Sequence, residues 1–187
     1  MNTFLIQQYA IIGADAAMNV AREIEEAYRS FVFNLNPDAS LKESTLRFHE
    51  LVSMFELLHA EQHGGSKLDL NVELDRLITT ESDKKQFTDT IQGIRLAGSN
   101  SSRCKTVSDS MFRIAKCFCQ VARFGVHTYD PNSSKLAMDS AYIHLFIAYE
   151  AMRSLFPGVD ESYQDANNNM KALVASEMRL SEEGGML

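Results

Sequence analysis

Residues 134–156 read SKLAMDSAYIHLFIAYEAMRSLF, and this stretch decides the fold. Projected at about 100° per residue, its apolar residues fall on nearly every side of a helix. They are Leu136, Met138, Tyr142, Ile143, Leu145, Phe146, Ile147, Tyr149, Met152 and Leu155. A helix without a polar face belongs at the buried centre of a helical assembly. The expectation is an all-α fold of six to seven helices, an antiparallel bundle around this central apolar helix.

Working outward, Pro157-Gly158 ends the central helix, since proline cannot continue it. Asp160 then caps a last helix with Tyr163, Ala166, Met170, Leu173 and Val174 on one side, and residues 181–187 form a frayed tail. Upstream, a fifth helix is expected from about Thr106 to Gly125, after a flexible loop at Gly98–Ser102. Ser82 is read as the cap of a short helix to Leu96, with Phe87, Ile91 and Ile94 inward. Lys67–Thr80 carries both an alternating and a helical pattern. No second strand exists to pair with it, so helix is preferred. A second helix is expected from a capping box at Ser40-Leu41-Lys42-Glu43 to about His63, ended by Gly64-Gly65. The first runs from Thr3 to Phe33, broken from the second around Pro37. Gly13 within it costs helix propensity, ~1 kcal/mol relative to Ala, and offers close approach to a neighbour.

The 187 residues suit a single domain, with no internal repeat. Three cysteines without paired spacing exclude a disulfide framework and point to a reducing compartment. The N-terminus lacks a basic start and an unbroken apolar core, so no secretory signal is expected. No apolar run reaches the length of a membrane span. A cytoplasmic location follows, in a cell or an infected host cell, with non-classical secretion left open. The net charge of −7 argues against a general nucleic-acid coat.

Three constellations carry chemistry. On the second helix His49, Glu56, His59 and His63 share one stripe, and imidazole with carboxylate suits Zn, Fe or Mn. Only Glu56-Leu57-Leu58-His59 has the E-x-x-H form, and a dinuclear centre needs two such pairs. The competing expectation for this stripe is a solvated polar face. On the fifth helix, residues 103–123 hold five cations, Arg103, Lys105, Arg113, Lys116 and Arg123, against one acid, Asp109. Arg113, Lys116, Gln120 and Arg123 fall on one face, opposite Val107, Met111, Ile114, Phe118, Val121 and Ala122. Such a rail suits phosphates or an acidic protein surface, or pairs with acids of the same molecule. No aromatic residue interleaves with it, so bases have no stacking platform.

The third is Arg123-Phe124-Gly125-Val126-His127, which resembles the Arg…His element of HEPN-type helical ribonucleases with a shorter spacer. Read on its own, His127 is a polar residue past a helix end, where the dipole favours a cation. Cys117 and Cys119 point nearly opposite ways on a helix and read as small packing residues, while Cys104 lies near a loop. His144 and Glu150 sit in the most apolar helix and need partners, Arg153 being the nearest for Glu150. With no complete catalytic set, the favoured expectation is a non-enzymatic interaction protein (adaptor, inhibitor, immunity-type or phage/secretion accessory factor). It would bind a protein partner through Arg113, Lys116, Gln120 and Arg123, without a cofactor or a membrane. A homodimer is a further expectation. The alternative is a metal-dependent or metal-binding protein using the His/Glu stripe, with His144 as a fifth ligand if that stripe faces the central helix.

Overall fold

The computed structural model describes residues 2–127 and 131–156, and within these the fold is all-α. The helices are α1 (Thr3–Val32), α2 (Asp38–Gln62), α3 (Leu70–Leu77), α4 (Glu81–Leu96), α5 (Asn100–His127) and α6 (Pro131–Leu155). The expected stop at Pro157-Gly158, the last helix from Asp160 and the tail at 181–187 lie outside the described residues.

The four long helices form a bundle in which each runs opposite to its neighbours. Asn2 N–H donates to Glu61 Oε1 at 2.7 Å, and Glu23 meets Arg47, so α1 and α2 are antiparallel. Ser108 of α5 reaches Glu25 of α1, while Phe118 lies over Gly13, which reverses the chain again. Across the core, α2 faces α6 through aromatic rings. Phe48 meets Tyr149 at 5.5 Å and Phe55 meets Tyr142 at 5.6 Å. Phe55 also meets Phe118 edge-on at 4.9 Å, tying α2 to α5 through the middle of the bundle. The crossover from α2 to α5 carries α3 and α4, both packed on α6. The apolar α6 thus touches four other helices, as its sequence predicts.

Small residues set the closest seam. Ala10, Gly13, Ala14, Ala17 and Ala21 are buried on α1. A Cβ built on Gly13 would stand 2.6 Å from Phe118 Cε1, so only glycine fits there.

Several helix starts differ from the sequence reading. Helix α2 begins at Asp38 after Pro37, with no side-chain cap, so Ser40–Glu43 is its first turn rather than a capping box. Thr80, not Ser82, caps α4: its Oγ1 accepts from Asp83 N–H at 3.1 Å. Helix α5 absorbs most of the expected Gly98–Ser102 loop by starting at Asn100. Lys67–Thr80 resolves as α3, whose first N–H groups donate to the Asp69 side chain. Gly64 and Gly65 take left-handed backbone (φ +65° and +90°) and end α2 as expected.

Candidate functional site

The basic run of α5 divides between two grooves. Lys105 lines a groove on the α1 side with Glu25, Arg29 and Asp109, where both signs of charge meet, while Arg103 donates to Asn100 Oδ1 at 3.0 Å. Arg113, Lys116 and Gln120 turn to the α6 side and line an open groove of about 560 Å³. Arg123 stands exposed one turn beyond Gln120. All four rail residues are exposed, opposite the buried Val107, Met111, Ile114, Phe118 and Val121. Among the described residues Arg113, Lys116 and Arg123 make no ion pair. By contrast Arg47, Arg76, Arg95 and Arg153 each meet a carboxylate. Pairing with acids of the same molecule therefore does not account for the rail within this part of the chain.

The opposite wall comes from one stripe of α6: Ser133, Leu136, Ser140 and His144. Ser133, Ser140 and His144 recur at helical spacing as a polar stripe on an otherwise apolar helix, with the exposed Leu136 among them. Ser133 belongs to the first turn of α6, where peptide dipoles favour negative charge. His144 is half-buried in this wall, and burial, then the Arg113 charge, hold its imidazole below the ordinary histidine value. Burial raises the Cys117 thiol, against the opposing Ser140 hydrogen bond and Lys116 charge. That cysteine is a wall residue and not an activated nucleophile. Among the described residues no acidic side chain and no Phe, Tyr or Trp lines the groove.

The His/Glu stripe of α2 turns into the bundle instead of forming a solvated face. His49 and His59 are buried, Glu56 is half-buried, and His63 is exposed. His59 and His63 stack with centroids 4.2 Å apart. His59 Nδ1 lies 2.8 Å from the Tyr142 hydroxyl, and His63 Nδ1 lies 2.9 Å from the His59 carbonyl. His49 stands ten residues from His59, about 15 Å along the axis at 1.5 Å per residue, so the four do not converge. The stripe does face α6, but Tyr142 meets it there, while His144 lines the α5–α6 groove. Among the described residues no group of three or more His, Cys, Asp or Glu is placed to hold a metal ion.

Several other polar groups in the core find partners, while Glu23 Oε2 is buried without a hydrogen bond. Ser44 and Thr45 both donate to the Leu41 carbonyl at 2.8 Å, and Ser53 donates to that of His49. Glu150 meets Arg95 at 3.0 Å and Arg153 at 3.7 Å, so the expected Arg153 partner is joined by one from α4. Of the Arg123…His127 element, Arg123 is exposed near the end of α5, and the side chain of His127 lies outside the described residues. No helix among the described residues is long and apolar enough to cross a membrane. No family model, no curated protein and no solved structure matches this chain.

Proposed function

We propose that this chain is a non-enzymatic helical interaction protein, an adaptor or inhibitor that binds an acidic surface on a protein partner through Arg113, Lys116, Gln120 and Arg123. The observation that carries this reading is the clustering of cations on one face. In a chain of net charge −7, three exposed cations on one face of α5 have no carboxylate among the described residues. Unpaired like charges repel one another, so a face that keeps them together is suited to an external anion. The alternative, a metal-binding protein using His49, Glu56, His59 and His63, is less favoured because these side chains are spread along α2 and turned into the packing.

The test is affinity capture from the native source with the wild-type chain and the double variant Arg113→Glu, Lys116→Glu. The wild type is expected to retain a partner in stoichiometric amount, released by raised salt. The variant is expected to lose it with an unchanged melting curve, because both positions are exposed. Equal capture by the two proteins, or no partner on either, overturns the reading.

A further inference from the structure

We infer that the α5–α6 groove is the specificity pocket of this surface and receives a phosphorylated serine or threonine side chain of the partner protein. The inference rests on the proposed binding face and names the chemistry that face recognises.

Charge comes first. The grooves flanking α1 both carry carboxylates: Glu25 and Asp109 in one, and Glu23, Glu26 and Glu43 in the other. A third, beside α3, carries Glu150. Among the described residues the α5–α6 groove alone of these four is lined without an acid, by two cations among polar and apolar neutral groups. Arg113 and Lys116 are one turn apart on the same wall, which matches the two charges of a phosphomonoester. A guanidinium offers a planar fork to two of its oxygens and an ammonium a point charge to the third. The Gln120 amide and the Ser140 hydroxyl add neutral donors around them. A carboxylate has one charge and two oxygens, and would leave part of this set unused.

The remaining shape decides between phosphate sources. The groove, at about 560 Å³, is much larger than one phosphate group. Its further wall carries an apolar spot among polar groups, Leu136, 70% exposed. A peptide carrying phosphate brings both an anion for Arg113 and Lys116 and neighbouring side chains to cover Leu136. A nucleotide would bring a base, and among the described residues no Phe, Tyr or Trp ring lines the groove, which leaves the half-buried His144 imidazole as the one ring there.

His144 supplies an internal reporter. It lines the groove from the α6 wall, across from Arg113, Lys116 and Cys117 of α5, with no acid among the described lining residues. An anion placed beside it offsets the Arg113 charge and favours the imidazolium. Occupancy of the groove therefore draws a proton onto His144.

The experiment uses the full chain and a degenerate heptapeptide pool with central phosphoserine. The same pool with serine, the same pool with glutamate, and inorganic phosphate are run beside it. Binding is read by fluorescence polarisation and by NMR of the His144 imidazole. The expected result is at least tenfold tighter binding of the phosphoserine pool than of the serine and glutamate pools, with a downfield-shifted, protonated His144. Arg113→Gln and Lys116→Gln are each expected to weaken it at least tenfold, with unchanged melting, while Lys105→Gln on the α1 side has no effect. Inorganic phosphate binding as tightly as the phosphoserine pool overturns the peptide in favour of a free anion. Equal binding of the glutamate pool overturns the phosphate in favour of an acidic peptide. No binding of any pool overturns the inference outright. In these cases the capture experiment above decides separately whether the acidic-partner reading stands.

Discussion

Gly13 shows how one missing side chain can place a helix. Phe118 is fully buried, and its ring fills the space that a β-carbon at position 13 would take. Gly13→Ala should raise helix propensity by ~1 kcal/mol but force the ring or the seam to move. Overpacking of a tight core costs about 1–3 kcal/mol, so the expected outcome is a net loss of stability, measured as a lower midpoint in urea. Phe118→Leu in the same background should recover part of that loss by returning volume. His59 makes a second prediction at this scale. Burial, then the nearby His63, holds its imidazole below the ordinary value, and neutral His59 can accept the Tyr142 hydroxyl. His144 shifts the same way. For a base lowered by folding, the unfolded chain takes up the proton first. The stabilisation is therefore complete above the unfolded value near 6.5 and is lost as pH falls toward the lowered folded values. The slope is up to about 1.4 kcal/mol per pH unit for each group. The Tm should drop between pH 7.5 and 5.5, and drop less in His59→Gln, as calorimetry at both pH values will measure. A wild-type Tm that is flat over this range contradicts the assignment.

At the scale of the element, α4 is the lightly held piece. Only Ile91 and Ile94 of its sixteen residues are buried, with Phe87 half-buried against Phe146. Its start depends on Thr80, whose hydroxyl accepts from the Asp83 N–H and donates to the Asp83 carboxylate at 2.6 Å. Thr80→Ala should cost about 1 kcal/mol locally. Amide exchange should accelerate through residues 81–96 while α1 stays protected, because α4 can open without disturbing the four-helix core. Exchange that accelerates equally in both helices would show that α4 belongs to the core. These helix ends were the least legible feature of the sequence. Ser40, Ser82 and Thr80 are chemically similar caps, and which one serves depends on where the packed helix must begin. Helix interiors were legible because burial repeats every turn: Phe87, Ile91 and Ile94 fall inward as their spacing predicts. The α2 stripe was half legible. Its periodicity was visible, but His49 and His59 are polar residues on a buried face, and only the Tyr142 hydroxyl from a distant helix shows why burial is tolerated for His59.

At the scale of the molecule, charge and fold are assigned to different parts. The buried acids of the described bundle find cations: Glu23 meets Arg47, Asp139 joins Arg76 and Lys135, and Glu150 joins Arg95 and Arg153. Burial alone would raise the Asp139 carboxyl, but hydrogen bonds from Arg76 and Lys135 hold it below the ordinary value. The rail on α5 stands outside this pairing, which is why composition alone, a net −7, hides it. The bundle itself was readable from the apolar α6. The groove was not, because it needs Arg113 and Lys116 from one helix and Ser140 and His144 from the next. That pairing follows from the antiparallel reversal between α5 and α6, not from any motif. The same topology also orders the folding reaction. Helices α1 and α2 reverse across residues 33–37, and α5 and α6 follow one another in the chain and run antiparallel, so each hairpin closes at small entropic cost. The two hairpins are separated by residues 63–99, and their meeting creates the Phe55–Phe118 contact and the Gly13 seam at once. Joining these two halves makes contacts of large sequence separation, the kind that slow folding, and it does so where two rings meet the smallest residue.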